Sequence, residues 1–190
     1  MNIGVLAIQG SVSEHLSALK QCGVQACEVR DRKSLSEVSG LIIPGGESTT
    51  IGKLLKLYGL DVAIIERVAG GMPVYGTCAG AIVLSKKTTG KKPNIVQLLD
   101  IDTARNAYGR QIESFSTQIS APTLSRKPIP AVFIRAPKII RVGKNVEILA
   151  RFHNEPVFVR EKNILASTFH PELTNDLSVH RYFIAACARR

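Results

Sequence analysis

The sequence predicts an α/β fold in which a mainly parallel central sheet carries helices on both faces and has an antiparallel extension. In the first half, short apolar runs alternate with helix-like segments, the order that builds a parallel sheet. In the second half, shorter strand-like runs are separated by turn signals, which favours antiparallel strands. We expect residues 1–190 to form a single domain, since a chain of this length buries roughly 70% of its unfolded surface.

The elements of the first half follow from the spacing of the apolar residues. Residues 3–8, 24–29, 40–43 and 72–75 are mostly apolar runs that predict strands. Ser11 and Glu14 have the spacing of a capping box, which predicts the start of a helix at this point. Further helices are predicted at residues 34–38, after residue 50, at 61–69 and at 81–84.

The second half is predicted to contain five short strands and a closing helix. The strands cover residues 112–119, 131–134, 146–152, 157–160 and 164–168, and the helix covers residues 175–188. Residues 86–92 have the sequence KKTTGKK, which predicts a basic surface loop.

Composition excludes several classes of protein. With 45% hydrophobic and 21% charged residues, the chain resembles an ordinary globular protein rather than a disordered one. No apolar stretch reaches the roughly 20 residues of a membrane helix, and the first residues lack a charged leader. We therefore expect a cytoplasmic protein without a membrane partner. The cysteines form no C-x-x-C pair, so neither a zinc site nor a disulfide framework is predicted.

A formal net charge of +10 makes a nucleic-acid partner worth considering. The basic residues are scattered, however, and aromatic residues that could stack on bases make up only 5% of the chain. We expect no nucleic-acid partner and favour a solvated basic face that docks an acidic protein surface.

Cys78 carries the strongest chemical signal in the chain. It lies in the segment YGTCAG at residues 75–80, between a predicted strand and a predicted helix. The G-x-C-x-G pattern lets the backbone turn sharply and lets a substrate approach the thiol. At a helix N-terminus, unpaired N–H groups favour a thiolate over a thiol. These features predict a nucleophile, whereas the alternative is a buried cysteine that only packs.

A nucleophilic thiol needs a base, and the base needs a group that orients it. His170 and Glu172 follow the predicted strand 164–168 in the segment FHPEL, where the intervening proline restricts the backbone. We predict that they form a catalytic triad with Cys78. The remaining histidines are expected in exposed, packing or turn positions: His15, His153 and His180.

The backbone N–H groups of Gly46 and Ala79 are the predicted oxyanion donors. Gly45 and Gly46 permit backbone geometries that a side chain would block, and Ala79 directly follows the nucleophile. Taken alone, residues 44–48 also fit a turn at the entry of a helix.

These segments together resemble the glutaminase subunits of pyridoxal 5′-phosphate synthase, a family of triad, class I-type glutamine amidotransferases with a flavodoxin-like fold. The likeness covers nearly the whole chain. The matching segments are LAIQG at 6–10, PGGESTT at 44–50, GTCAG at 76–80, RNAYGRQ at 105–111, FIRAP at 133–137 and STFHPELT at 167–174. PGGESTT, the RNAYG block and FIRAP are the most specific to this family.

The resemblance implies hydrolysis of L-glutamine to glutamate and ammonia through a glutamyl thioester. It makes Cys78 the nucleophile, His170 the acid and base, and Glu172 the residue that orients His170. It assigns glutamine binding to Gly46, Glu47, Ser48, Arg105, Ile134 and Arg135. It implies no cofactor and no metal, and its partner is a synthase subunit that receives the ammonia. On this basis we assign both the hydrolase and the lyase class.

Two other functions stay open. The chain could be the glutaminase subunit of another amidotransferase, for which PGGESTT and FIRAP would be unexpected. It could also be a non-catalytic redox-sensing protein on the same scaffold, which would not require His170 and Glu172 at this spacing.

Overall fold

The computed structural model describes residues 1–90, 95–105 and 114–188. The first half contains β1 (Asn2–Leu6), α1 (Val12–Gln21), β2 (Gln25–Val29), α2 (Arg32–Ser36), β3 (Gly40–Ile43), α3 (Ser48–Leu57), α4 (Leu60–Ala69), β4 (Val74–Thr77) and α5 (Ala79–Leu84). Each element lies at or next to its predicted segment.

The second half begins with β5 (Ser85–Thr89), β6 (Leu99–Ala104), β7 (Ser114–Ile119), β8 (Ile129–Ile134) and β9 (Lys138–Val142). It continues with β10 (Glu147–Phe152), β11 (Glu155–Glu161), β12 (Ile164–Ser167), a 3₁₀ helix (Pro171–Leu173) and α6 (Ser178–Ala188). The sequence prediction lacks β5, β6 and β9. Residues 112 and 113 of the predicted strand at β7 lie outside the described residues.

A seven-stranded sheet forms the centre of the fold, in the order β10-β11-β12-β4-β3-β1-β2. Strands β2, β1, β3, β4 and β12 run parallel. Strands β11 and β10 then add to β12 in antiparallel pairs. The parallel part has the order of a flavodoxin-like sheet, with β12 as its fifth strand. This confirms the predicted α/β fold and its antiparallel extension.

Two apolar clusters cover the two faces of the sheet. Leu41 and Val74 belong to one cluster, together with buried residues of α2, α3, α4 and α5. Their sequence neighbours Ile42 and Tyr75 belong to the other, together with residues of α1, α6, β7 and β8. Successive side chains of a strand point to opposite faces, so each buried strand contributes to both clusters.

The basic segment that begins at Lys86 forms a strand, so the predicted surface loop is wrong for its first residues. β5 pairs with β6 in parallel, and β6 pairs with β9 in antiparallel, in a separate three-stranded sheet. Most side chains of β5, with the sequence SKKTT, are exposed, and the strand lacks the apolar alternation that marks a strand in sequence. Residues 91 and 92 lie outside the described residues.

The capping box predicted at Ser11 is also wrong. Ser11 precedes α1, but its side chain makes no capping hydrogen bond. Its hydroxyl donates instead to Oε1 of Glu172, at 2.8 Å. A capping box does form at the start of α2, between Asp31 and Ser34. The serine before α1 therefore makes a long-range contact rather than serving its own helix.

Candidate active site

The candidate functional side chains lie where parallel strands end at one edge of the sheet. Gln9 follows β1, Gly46 follows β3, Cys78 follows β4 and His170 follows β12. Between β1 and β3 the order of strands changes direction, and open α/β sheets bind ligands in the crevice at such a switch point. The topology therefore gathers residues that are far apart in the sequence.

Cys78 occupies a sharp turn between β4 and α5. Its backbone has φ 48° and ψ −101°, a conformation that is uncommon for a residue with a side chain. In α5, which follows the turn, Gly80 leaves no room for a larger residue, because a Cβ there would run into the carbonyl oxygen of Ile43 in β3. The cysteine is 7% exposed, and its sulfur lies 3.8 Å from the carbonyl oxygen of Ile134. The turn thus places the sulfur beside the end of β8.

His170 and Glu172 form a buried hydrogen-bonded pair. Nδ1 of His170 lies 2.7 Å from Oε1 of Glu172. The backbone N–H of His170 donates to the carbonyl oxygen of Val132 at 2.8 Å, which holds the residue against β8. The predicted pairing of these two side chains is therefore present in the geometry.

The pKa values of the pair reflect these contacts. Burial acts to lower the pKa of His170, but hydrogen bonds with Cys78 and Glu172 outweigh it and raise the pKa to about 10. Burial acts to raise the pKa of Glu172, but the imidazoles of His15 and His170 and the Ser11 hydroxyl lower it to about 2. The imidazole of His170 thus lies between the thiol and an ionised carboxylate, as a Cys–His–Glu triad requires.

The glycine turn after β3 lies close to both the histidine and Gln9. A Cβ on Gly45 would meet the imidazole ring of His170, and a Cβ on Gly46 would meet the side-chain amide of Gln9. The N–H of Gly45 donates to Oγ1 of Thr77 at 2.9 Å. The absence of side chains at both glycines therefore allows the turn to approach His170 and Gln9.

Glu47 and Arg105 form an ion pair at the entry of α3. Nη2 of Arg105 lies 3.1 Å from Oε1 of Glu47, and Nη1 donates to the hydroxyl of Thr49 at 3.2 Å. The Glu47 carboxylate also caps α3 by accepting from the N–H groups of Thr49 and Thr50. Burial acts to raise the pKa of Glu47, but the hydrogen bonds from Thr50 and Thr49 lower it to about 2. The helix-entry turn considered from sequence is thus present, and an ion pair is part of it.

Two adjoining cavities meet at Cys78. The first has a volume of about 380 Å³ and is lined by most of the predicted site residues: Gly46, Glu47, Ser48, Cys78, Ala79, Arg105 and Arg135. The second has a volume of about 470 Å³ and contains Ile134 and His170 as well as Cys78. Every predicted site residue except Glu172 therefore lines a cavity next to the thiol, and Glu172 lies behind His170. Residues 106–111 of the RNAYGRQ segment lie outside the described residues.

Comparison with known proteins places the chain among glutamine amidotransferases. The model of the SNO glutamine amidotransferase family matches residues 5–189. The chain belongs to this family. A relative from Thermotoga petrophila, named pyridoxal 5′-phosphate synthase subunit PdxT, is 52% identical over 184 residues, which are 97% of this chain and 98% of the relative. The resemblance inferred from the sequence motifs is thereby confirmed.

Solved structures agree with membership of the SNO glutamine amidotransferase family. A chain described as a crystal structure of glutamine amidotransferase has a TM-score of 0.93 and 46% identity, with 98% of each chain covered. The structure of PurLQS from Thermotoga maritima has a TM-score of 0.75 with 97% of each chain covered, and its 14% identity makes it a likeness of fold alone.

The lyase class assigned from the sequence is wrong for this chain. A glutaminase breaks the C–N bond of an amide by adding water, which is hydrolysis. The family match and the named relative support glutaminase chemistry, and therefore the hydrolase class alone.

Sequence reasoning missed a second layer of polar groups behind Glu172. Ser11 donates to its Oε1, and Nε2 of His15 lies 3.5 Å from its Oε2. His15 is also hydrogen-bonded to His180, and both are 0% exposed, so an exposed position is excluded for either residue. A weak signal was present, because residues four apart, such as Ser11 and His15, face the same side of a helix start. His153 lies in the turn between β10 and β11, where a turn position is predicted.

The described residues show no metal centre and no membrane helix. Within residues 1–90, 95–105 and 114–188, no group of three or more histidine, cysteine or carboxylate side chains is arranged to hold a metal ion. The cysteines, all within these ranges, form no disulfide. In the same part of the chain, no helix combines the length and the apolar character needed to cross a membrane.

Proposed function

We propose that this chain is the glutaminase subunit of pyridoxal 5′-phosphate synthase, a single glutamine amidotransferase domain that hydrolyses L-glutamine to L-glutamate and ammonia. The observation that carries the proposal is the buried hydrogen-bonded pair of His170 and Glu172, with His170 in the same cavity as Cys78 at the edge of the parallel sheet. The family match and the 52% identity to the Thermotoga petrophila subunit support the choice of synthase.

In this proposal the sulfur of Cys78 attacks the side-chain amide carbon of glutamine. A C–S bond forms, and the carbonyl oxygen gains negative charge. Hydrogen-bond donors aimed at that oxygen contribute about 3 kcal/mol each. We assign this role to the N–H groups of Gly46 and Ala79. Ala79 is the first residue of α5, so its N–H has no acceptor within the helix and is available to a substrate.

His170 moves the protons in both half-reactions. Its Nε2 takes the thiol proton and gives it to the departing nitrogen, so the C–N bond breaks and ammonia leaves a glutamyl thioester. The imidazole then takes a proton from water as the water oxygen attacks the thioester, and glutamate and the free thiol result. Glu172 accepts from Nδ1 at 2.7 Å and so keeps the ring in the tautomer and orientation that both steps need.

The cavity beside α3 suits the amino-acid end of glutamine. A guanidinium binds a carboxylate through two parallel hydrogen bonds, and a carboxylate binds an ammonium group. The ion pair between Arg105 and Glu47 supplies both charges at one place, and Arg135 adds a second guanidinium to the same cavity. Gly46 and Ser48 complete this wall, while Ile134 faces the sulfur through its carbonyl oxygen.

We propose that the synthase subunit covers the site and receives the ammonia. Ile134 and Leu173 are apolar side chains that are 38% and 42% exposed, and both line the cavity next to the thiol. Apolar side chains at the mouth of a cavity fit a surface that a partner covers. We further propose that the complex works in the cytoplasm, where the reducing environment keeps a catalytic thiol reduced.

Release of glutamate from glutamine, measured with and without the purified synthase subunit, tests the proposed function. The expected result is a low rate for the chain alone and a large rise with the partner. Cys78→Ala should abolish the release while the melting temperature stays unchanged. Cys22→Ala is the matched control, since Cys22 is half-buried at the far end of α1, and it should keep full activity. Undiminished release by the Cys78 variant, or equal rates with and without partner, would overturn the proposal.

A further inference from the structure

A line of buried imidazoles extends from the carboxylate of Glu172 away from the thiol. His15, in α1, is 0% exposed, and its Nε2 lies 3.5 Å from Oε2 of Glu172 and 3.2 Å from Oγ1 of Thr77. Its Nδ1 lies 3.0 Å from Nε2 of His180, which belongs to α6 and is also 0% exposed. The proposed reaction uses neither of these histidines, although burying two imidazoles requires that their polar atoms be satisfied.

The unpaired ring nitrogen at the end of this line favours one arrangement of its protons. Nδ1 of His180 has no hydrogen-bond partner in the described part of the chain. If His15 carried its proton on Nδ1, it would donate to Nε2 of His180, and the proton of His180 would lie on its unpaired Nδ1. If His15 carries its proton on Nε2, His180 donates from Nε2, and its Nδ1 is only an unused acceptor. Buried N–H groups without a partner are the rarer defect, so the second arrangement is favoured.

This arrangement also suits the carboxylate. Oε2 of Glu172 has no full hydrogen bond in the described residues, and the proton on Nε2 of His15 is shared between it and Thr77. The opposite tautomer would turn the lone pair of Nε2 toward a negative charge. All N–H groups of the line therefore point toward Glu172.

Burial favours the neutral form of both imidazoles of the line. Burial lowers the pKa of His15 against the opposing effect of Glu172; His170 lowers it further, and Glu14 raises it. Burial, and then His15, lower the pKa of His180 to about 3. A neutral His15 directs a dipole at Glu172 without cancelling its charge, so the carboxylate remains the counter-ion of the catalytic imidazole.

We propose that His15 is a positioning residue of the glutaminase. Its Nε2–H attracts Oε2 of Glu172 and so keeps Oε1 turned toward His170, while Ser11 restrains Oε1 from another side. His180 holds His15 in the required tautomer. The expected effect on the rate rests on the proposed function, whereas the proton positions do not.

Nitrogen-15 NMR of the histidine side chains tests the proton positions without any measurement of activity. The expected result for the wild-type protein is a His15 ring that is protonated on Nε2 alone at neutral pH. His153→Asn removes the exposed turn histidine and helps to assign the remaining signals; asparagine tolerates the φ of 45° at that position. A His15 ring protonated on Nδ1, or charged at neutral pH, would overturn the inference.

Two substitutions of His15 test the effect on the rate in the complex with the synthase subunit. His15→Leu removes the donor and is expected to lower kcat about tenfold, the lower end of the range for a hydrogen bond to a charged group, because Thr77 shares this donor with Glu172. The KM for glutamine should stay within about twofold, because His15 does not line the cavity beside α3. His15→Gln offers an amide N–H near the position of Nε2 and should restore kcat to within about threefold of the wild-type value. His153→Asn should keep wild-type kinetics.

The outcomes separate this inference from the proposed function. A wild-type protein that releases no glutamate with the partner would overturn the proposed function. An active wild type, together with an unchanged kcat in His15→Leu, would overturn the positioning role alone. If the leucine variant does not fold, the NMR result and the glutamine variant test the positioning role of His15. A folded His15→Gln protein with kcat lowered tenfold or more would then count against that role.

Discussion

Replacing Glu172 by glutamine removes one negative charge from the candidate triad and keeps the shape of the side chain. Oε1 of Glu172 accepts from Nδ1 of His170 at 2.7 Å and from the Ser11 hydroxyl at 2.8 Å. Because both donors point to the same atom, the amide should place its oxygen there, and the tautomer of His170 should remain correct. The loss is the charge that stabilises the imidazolium during the reaction.

The size of the effect follows from these contacts. A hydrogen bond to a charged group contributes about 1.5–3 kcal/mol, and a neutral one about 0.5–1.5 kcal/mol, so the change at His170 is roughly 1–2 kcal/mol. The amide NH₂ of the variant would face the Nε2–H of His15, and two opposed donors add about 1 kcal/mol. The sum of about 2–3 kcal/mol corresponds to a loss of about 30- to 160-fold in kcat/KM.

Glutamate release at a saturating concentration of the synthase subunit measures this loss. Glu66→Gln is the matched control, because Glu66 is exposed on α4, and it should keep the wild-type rate. A Glu172→Gln protein within about threefold of the wild type would refute the role given to the carboxylate charge. A loss of about 10⁴-fold would instead indicate a reversed amide and a wrong tautomer, which contradicts the orientation argued from the two donors.

Two further predictions concern stability. Gly80→Ala places a Cβ against a carbonyl oxygen of β3 and should lower the free energy of unfolding by about 1–3 kcal/mol. Gly70→Ala is the control: a Cβ there would have its nearest neighbours at 3.5 Å, so the free energy of unfolding should change by less than about 0.5 kcal/mol. Chemical denaturation measures both, and equal effects would contradict the close approach of α5 to β3. Acid should also destabilise the fold. The pKa of His180 is about 3 in the folded state and about 6.5 in the unfolded state, so the unfolded state binds more protons between these two pH values. As the pH falls from about 6.5 to about 3, the free energy of unfolding should therefore decrease by up to about 1.4 kcal/mol per pH unit. His180→Leu should reduce that slope, and an unchanged slope would contradict a buried neutral ring.

The parallel part of the fold could be predicted because its strands carry a strong local signal. Residues 40–43 are apolar throughout and end at Pro-Gly-Gly, and the structure buries all four of them in β3. β5 could not be predicted, since SKKTT exposes most of its side chains and is held by pairing with β6, whose partner residues lie beyond a long connection. Its strand conformation depends on tertiary context rather than on local pattern.

The candidate triad could also be predicted, because Cys78 and the His170–Glu172 pair each lie in a short motif with its own chemical meaning. The groups behind Glu172 could not. Ser11 and His15 reach the carboxylate because β1 and β12 run parallel in one sheet, so that the chain after each strand leaves at the same edge of the sheet. A capping pattern and a histidine within a helix carry no sign of such a distant contact.

Mass spectrometry of the protein, quenched in acid while it turns over glutamine with the synthase subunit, tests the central claim most directly. The claim is that the thiol of Cys78 carries the glutamyl group between the two half-reactions. The account predicts a glutamyl adduct on the peptide that contains Cys78 and none in Cys78→Ala. An adduct on any other residue during active release of glutamate would contradict it.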